Sequence, residues 1–324
     1  MIYSKKIFID QFSPIAHYKK LKDYFQRETM FLFESVVNND RGNFSYIAVG
    51  VREKIWHQHN KSHYTDENGK TSQISDNPLL FMKQYYSKID QNKYNEISKD
   101  LSVGFVDGFI GYIGYDMVKE FEPSLKKNMT TLVDIANVPD FELIRPKMIV
   151  AFSHKTSTLT LISSMEEFSK KFDEIENILK SSYAFVPLKK AIKLSDGNFD
   201  FNKESFIDIV NKSKEKIKSG DIFQILISNR YIQPAIVDRL SFYRVLRSKN
   251  PSPYLYLLEF KEFAIAGSSP EVMIQLQDKT ILLRPIAGTR KRGKNALRDK
   301  ELENEMLTDK KEIAEHIMLV DLGR

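Results

Sequence analysis

The sequence predicts an α+β fold with antiparallel sheets, and three observations support this class. Strand-like apolar runs follow one another with links of hairpin length, as at residues 254–260 and 263–267, which favours antiparallel neighbours. Segments with apolar residues at helical spacing, such as residues 203–219, lie between these runs. The chain has 324 residues, 42% of them hydrophobic, which is long enough for two domains or one large one.

The first part of the chain is predicted to mix strands and helices. The segment 31–35 alternates Phe, Leu, Phe, Glu and Ser, which favours a strand with a single acidic side chain. Asn68 and Gly69 predict a hairpin turn. Further predicted elements are a helix over residues 78–100, strands over 142–152 and 157–164, and a helix over 165–181.

A polar stretch over residues 189–202 predicts a domain boundary, which we place between residues 195 and 196. Asn202 as N-cap and Gly220 after the last turn bound a predicted helix over 203–219. The other predicted elements are strands over 222–227, 254–260, 263–267, 272–277 and 280–284, and helices over 238–248, 297–306 and 309–320. The expected domains are therefore residues 1–195 and 196–324.

Composition excludes several classes of function. The net charge of +6 comes from 49 basic and 43 acidic residues that are interspersed along the chain, so no nucleic acid partner is expected. No run reaches the roughly 18 apolar residues of a membrane helix, and the first residues have no secretory apolar core. The chain has no cysteine, which excludes disulfides and thiol catalysis and predicts a cytoplasmic location.

Residues 281–324 carry the pattern most suggestive of chemistry. Glu312 and Glu315 are three residues apart, so both side chains lie on one face of the predicted helix, downstream of a Gly288-Thr289-Arg290 turn. Two interpretations stay open from this spacing. The pair could hold Mg²⁺ against an anionic substrate, or it could belong to a solvated helix face.

Two other clusters also leave alternatives open. The segment 290–292 with Lys294 is a solvated loop, a positive rim that attracts a small dianion, or both. His57, His59 and His63 have a spacing that could ligate zinc, but an exposed strand and turn is the simpler interpretation because no cysteine or acid completes the set.

Long motifs give the chain a specific resemblance. RPIAGTRKRG (284–293) and DKKEIAEHIMLVDLGR (309–324) resemble the chorismate-binding domain of anthranilate synthase component I. The likeness continues upstream through GDIFQILISNRY, PSPYLYLLEF and GSSPE, and more weakly through FLFESV, FSYIAVG and GFIGYIGYD. It implies antiparallel sheets packed as a sandwich with helices on the outside, with the second half incomplete. In the family the motif at residues 321–324 continues, so we expect a truncated chain that is inactive alone.

The resemblance implies a Mg²⁺-dependent lyase that converts chorismate and ammonia to anthranilate and pyruvate in tryptophan biosynthesis. Glu312, Thr289 and Gln224 correspond to catalytic positions, and Gly288 with Thr289 to substrate-binding positions. Glu315 and Glu312 correspond to metal positions. Ammonia would come from a partner glutaminase subunit, since this chain has no cysteine nucleophile.

The same resemblance implies a feedback pocket for tryptophan. Its expected residues are Glu34, Ser35, Pro253, Tyr254 and Leu255. From the residues alone, an alternative for Glu34 and Ser35 is the end of a strand whose polar groups satisfy the backbone. We expect tryptophan to inhibit the enzyme.

Two positions separate this reading from related activities. Gln224 stands where isochorismate-forming and salicylate-forming relatives typically carry a lysine that activates water, so ammonia is the expected nucleophile. Ala287 stands where aminodeoxychorismate synthases commonly carry lysine, which favours anthranilate. Aminodeoxychorismate synthase component I is the enzymatic alternative, and a non-catalytic module that binds tryptophan or docks a glutaminase is the other.

Overall fold

The computed structural model describes residues 1–11, 13–35, 44–75, 77–129, 136–277 and 279–324. The chain forms two compact units, one of residues 1–183 with 246–324 and one of residues 184–245. The domain boundary predicted between residues 195 and 196 stays a prediction, because compact units defined by contacts are not a test of domains.

The described elements of residues 1–183 alternate strands and helices. In chain order they are β1 (Tyr3–Phe8), α1 (Pro14–Tyr24), β2 (Met30–Glu34), β3 (Phe44–Val49), β4 (Glu53–Gln58), β5 (Lys61–Thr65), β6 (Thr71–Ile74), α2 (Pro78–Ser87), α3 (Gln91–Leu101), β7 (Ile110–Ile113), a 3-10 turn (Tyr115–Met117), α4 (Val118–Phe121), α5 (Pro123–Met129), β8 (Phe141–Arg145), β9 (Met148–Ser153), β10 (Thr158–Ser163), α6 (Glu166–Ser169) and α7 (Phe172–Lys180).

The remaining elements follow from residue 192 onward. They are β11 (Ile192–Lys193), β12 (Asn198–Phe199), α8 (Lys203–Lys218), β13 (Tyr231–Ile232), β14 (Ala235–Ile236), α9 (Arg239–Lys249), β15 (Tyr254–Glu259), β16 (Ala264–Ser269), β17 (Gln275–Gln277), β18 (Thr280–Leu282), α10 (Ala296–Thr308) and α11 (Lys310–Gly323).

Two antiparallel sheets build the larger unit. The first has seven strands in the order β1-β10-β9-β3-β2-β15-β16, and the second has five in the order β6-β5-β4-β8-β7. All described strand pairs are antiparallel. The predicted α+β class with antiparallel sheets is therefore confirmed.

The core of the larger unit lies where the two sheets pack face to face. Phe31 of β2 and Leu258 of β15 are buried in one cluster with Ile144 of β8, which belongs to the other sheet. The ring of Phe260 lies 4.8 Å from that of Phe31, in an edge-to-face arrangement that aromatic pairs prefer. Because Ile144 of the second sheet packs in this cluster with Phe31 and Leu258 of the first, the two sheets form a sandwich.

The smaller unit contains α8 and two short strand pairs, β11 with β14 and β12 with β13. Asn202 caps α8 by accepting a hydrogen bond from the backbone of Ser205 at 2.9 Å, and Gly220 follows the helix with φ of +78°. Both predicted boundaries of this helix are confirmed. The apolar residues that recur at helical spacing along α8 predict a buried face, but no residue of α8 is buried.

Several predicted elements differ from the structure. The strand expected over residues 222–227 is wrong, because this segment pairs with no described strand and Phe223 and Leu226 are 89% and 93% exposed. An apolar run becomes a strand only where a neighbour supplies backbone partners. The helix expected over 78–100 is two helices, because Asp90 caps a new one by accepting from Asn92 and Lys93.

Candidate active site

The Gly288-Thr289-Arg290 turn lies against helix α11. Gly288 has φ of +81°, a conformation that side chains with a Cβ rarely adopt. A Cβ added there would lie 3.1 Å from Oε2 of Glu312. The structure thus places the predicted bend beside the first of the two predicted acids.

Helix α11 positions both acids. Asp309 is its N-cap, and the Asp309 carboxylate accepts hydrogen bonds from the backbone of Lys311 at 2.9 Å and Glu312 at 3.3 Å. Those hydrogen bonds, that from Glu312 foremost, lower the pKa of Asp309. Glu312 and Glu315 follow one turn apart, and both are half-buried.

Arg290 joins the turn to two helices. Its Nη1 donates to Glu312 Oε1 at 3.0 Å, its Nη2 to Asp309 Oδ2 at 2.7 Å, and its Nε to Glu305 Oε1 of α10 at 3.1 Å. The hydrogen bond to Glu312 is the main cause that raises the pKa of Arg290. Sequence reasoning placed Arg290 in the turn and in a basic cluster, but it did not predict that Arg290 pairs with these acids. The sequence feature that could have indicated this pairing is the presence of three acids, Glu305, Asp309 and Glu312, in and between the two helices that follow the turn.

The carboxylates of Glu312 and Glu315 are donors of the type that Mg²⁺ binds in proteins. Across the part of the chain that the structure describes, no group of three or more His, Cys, Asp or Glu side chains is arranged to hold a metal. Mg²⁺ is commonly bound through one or two carboxylates, with water and substrate oxygens completing the octahedron. Glu315 has no hydrogen bond or ion pair with the described residues, so its oxygens are available.

The three clustered histidines do not form such a site among the described residues. His57 is buried in β4, and its Nδ1 shares a 2.7 Å hydrogen bond with Ser62 Oγ. His63 stacks on Trp56 with ring centroids 5.1 Å apart. The predicted strand and turn is present, with His59 at the turn, but the expectation that it is exposed is wrong for His57, which is 2% exposed.

Thr289 and Gln224 complete the predicted catalytic set. Thr289 follows Gly288 in the exposed turn, and its carbonyl accepts from Arg290 Nη1 at 3.1 Å. Gln224 is exposed in the irregular segment 222–230 of the smaller unit. Its predicted role stays a prediction.

A cavity of about 390 Å³ brings together all five residues of the predicted tryptophan pocket. Pairing of β2 with β15 sets Glu34 opposite Leu255, which joins the two motifs although they are far apart in sequence. The lining residues are Phe33, Glu34, Ser35, Phe44, Tyr46, Gly104, Pro253, Tyr254, Leu255, Tyr256, Val272, Gln275 and Arg284. A purely apolar cavity of about 270 Å³ shares Phe33 and Tyr46 with it.

Glu34 has a cationic neighbour that sequence reasoning missed. The Glu34 side chain is only 2% exposed, and its Oε2 lies 3.1 Å from Nε of Arg247 in α9. A buried carboxylate requires a cation or several donors to remain ionised, so a partner for Glu34 was predictable. Which arginine supplies it depends on tertiary packing.

A larger groove of about 750 Å³ lies between α11 and the segment that leads into the turn. Its walls are mainly apolar and include Ile281, Leu283, Ile286, Leu319 and Leu322. None of the predicted catalytic residues lines it.

Among the described residues, no helix is both long and apolar enough to cross a bilayer.

Comparison with known proteins gives consistent matches. The profile of the chorismate binding enzyme family matches residues 29–324. Anthranilate synthase component 1 of Thermus thermophilus is 33% identical over 99% of this chain and 67% of its own length. The Neisseria meningitidis serogroup B protein of the same name is 31% identical over 99% of this chain and 65% of its own. The chain spans about two thirds of the length of these curated relatives.

A solved structure agrees with the sequence matches. The crystal structure of anthranilate synthase component I from Streptococcus pneumoniae superposes with a TM-score of 0.69 at 25% sequence identity. The match covers 98% of this chain and 67% of the other. The sandwich of antiparallel sheets is therefore shared by both proteins.

Proposed function

Because this chain belongs to the chorismate binding enzyme family, we propose that it acts as component I of an anthranilate synthase. In this reaction ammonia adds to the chorismate ring, the ring hydroxyl leaves as water, and elimination of pyruvate gives anthranilate. The enzyme is then a lyase of tryptophan biosynthesis. The observation that supports the proposal best is the contact between the Gly288 bend and Glu312.

The bend and the acids divide the chemistry between them. Gly288 lets the substrate approach its backbone closely, and the Thr289 hydroxyl donates to an anionic oxygen. Glu312 beside the bend donates a proton to the departing hydroxyl. Mg²⁺ held by Glu315, with Glu312 one turn away, would neutralise a carboxylate of the substrate.

The nucleophile and its source follow from residue identity. Glutamine cannot act as a general base, so Gln224 favours ammonia over activated water as the nucleophile. Ala287 lacks the amine that the aminodeoxychorismate-forming relatives would use, which favours anthranilate as the product. A partner glutaminase would supply ammonia, since the sequence has no cysteine nucleophile. The absence of cysteine also suits a reducing compartment, and we propose the cytoplasm.

Tryptophan is the proposed inhibitor. Glu34, Ser35 and Tyr254 line a cavity of about 390 Å³ with aromatic walls and a buried carboxylate. Such a cavity suits an amino acid with an indole ring, whose ammonium group would lie near Glu34. If this cavity works while the acid site does not, the chain is the non-catalytic tryptophan-binding module.

Calorimetry with two ligands tests both sites. We expect chorismate with MgCl2 to bind the wild-type protein and to lose at least about tenfold in affinity in Thr289→Ala and Glu315→Gln. We expect L-tryptophan to bind independently and to lose a similar factor in Glu34→Gln. Each variant is the control for the other ligand.

The outcomes are distinct. Binding of tryptophan with no heat from chorismate would leave only the module. Chorismate affinity could instead fall in Glu34→Gln and stay unchanged in Thr289→Ala and Glu315→Gln. The substrate would then occupy the cavity lined by Glu34, and the assignment of chorismate to the Gly288 bend would be overturned.

A further inference from the structure

The bend that carries Gly288 and Thr289 has no regular secondary structure to hold it. Residues 283–295 belong to no helix or strand, so side-chain contacts must fix the position of the bend. Arg290 supplies four hydrogen bonds, to Glu305, Asp309 and Glu312 and to the carbonyl of Thr289. A guanidinium group suits this task because its planar fork offers five fixed donors.

The two oxygens of Glu312 have different surroundings. Oε1 accepts from Arg290 Nη1 at 3.0 Å, and Oε2 points toward Gly288. The Arg290 and Glu312 side chains are 22% and 21% exposed, so water screens this pair only partly. Glu312 is therefore oriented toward the bend by its arginine partner.

Glu315 is the contrasting member of the pair. It lies one turn further along α11, half-buried, without a hydrogen bond or ion pair to the described residues. A divalent cation near Glu312 would meet the positive charge of Arg290, while a cation near Glu315 would not compete for an oxygen that is already used.

We propose that Arg290 is a positioning residue that keeps Glu312 on the Gly288 bend and away from the metal. This inference rests on the proposed Mg²⁺ site and explains how two acids one turn apart take different tasks. Glu315 accepts the cation, and Glu312 stays beside the substrate-binding turn. Without Arg290, Glu312 becomes a second ligand of the same cation.

A double-mutant cycle on metal affinity tests the proposal without measuring activity. The probe is Mn²⁺, a carboxylate-binding substitute for Mg²⁺ whose free concentration is read by electron paramagnetic resonance. The proteins are wild type, Glu315→Gln, Glu312→Gln, Arg290→Gln and Arg290→Gln/Glu312→Gln. Arg292→Gln is the matched control, because Arg292 is 91% exposed and pairs with Asp299, so its loss removes the same charge without touching Glu312.

We expect Glu315→Gln to remove Mn²⁺ binding and Glu312→Gln to change the affinity of the wild-type protein by less than about twofold. Arg290→Gln should strengthen Mn²⁺ binding, and adding Glu312→Gln to it should then cost about tenfold. Adding Glu312→Gln to Arg292→Gln, as a second double variant, should again change the Mn²⁺ affinity by less than about twofold. Arg290→Lys should resemble Arg290→Gln, because lysine cannot reproduce the fork.

Other results overturn the proposal in distinguishable ways. If Glu312→Gln costs the same factor with and without Arg290, Arg290 does not decide the role of Glu312, and the metal site itself still stands. If neither wild type nor Arg290→Gln binds Mn²⁺, the metal site fails and this inference fails with it. Circular dichroism of each variant separates these outcomes from unfolding.

Discussion

Gly288 combines a left-handed backbone conformation with a position beside Glu312, the proposed proton donor. Its φ of +81° and the 3.1 Å approach of a hypothetical Cβ to Glu312 Oε2 impose two separate requirements for glycine. The first is conformational and applies to any left-handed turn. The second is local, because a methyl group at this distance would require the Glu312 carboxylate, which the reaction is proposed to use, to shift by a few tenths of an ångström.

Substituting Gly288→Ala should therefore do more than strain the backbone. We expect a loss of about 1 to 2 kcal/mol in unfolding free energy from the left-handed conformation, together with weaker chorismate binding. The control is Gly69→Ala, since Gly69 has φ of +79° and no atom within 4 Å of an added Cβ. Urea unfolding and calorimetry measure the two effects. Equal chorismate affinity in Gly288→Ala and Gly69→Ala would contradict the proposed closeness of substrate and bend.

Strand β15 organises the larger unit at the scale of elements. It pairs with β2 on one side and β16 on the other, so a strand from late in the chain completes a sheet that begins at residue 3. The same pairing brings Leu255 opposite Glu34 and so creates the cavity proposed for tryptophan. Strand β15 therefore contributes both to the stability of the sheet and to the shape of this cavity.

Truncating Leu257 tests the contribution of β15 to stability. Leu257 is fully buried, so Leu257→Ala should cost about 2 to 5 kcal/mol in unfolding free energy. Leu276→Ala is the matched control in β17, because Leu276 is 70% exposed and its truncation should stay within about 0.5 kcal/mol. Chemical unfolding followed by circular dichroism compares them. Similar losses in both variants would contradict the central place of β15.

At the scale of the whole molecule, two buried histidines, His17 and His57, and the half-buried His154 oppose folding in acid. Burial lowers the pKa of His17, His57 and His154 below the ordinary 6.5. The folded protein then favours the neutral rings, while the unfolded chain takes up protons as the pH falls through about 6.5. Their contribution to stability is complete above this pH and is lost progressively below it.

Substituting one of these rings, that of His17, should flatten this pH dependence. We expect the melting temperature to fall less between pH 7 and pH 5 in His17→Gln than in the wild-type protein. The control substitution is His316→Gln, because His316 is exposed and its replacement removes a histidine without altering a buried position. Differential scanning calorimetry at matched ionic strength measures the slopes. An unchanged slope in His17→Gln would contradict the prediction.

Sequence alone determined the class of the fold and the family. Apolar periodicity and capping residues such as Asn202 act within a few neighbouring residues, so they predict elements like α8 well. The resemblance carried by the motifs of residues 284–293 and 309–324 is confirmed by the family match over residues 29–324. The prediction of a strand over 222–227 was wrong, because an apolar run does not itself show that a neighbouring strand will pair with it.

Only the tertiary structure decided which side chains meet. Spacing placed Glu312 and Glu315 on one helix face, but the pairing of Glu312 with Arg290 depends on how an irregular segment folds back on α11. In the same way, β2 and β15 had to pair before Glu34 and Leu255 could line one cavity. Local patterns come from bonds between near neighbours, whereas these contacts come from packing between segments that are distant in sequence.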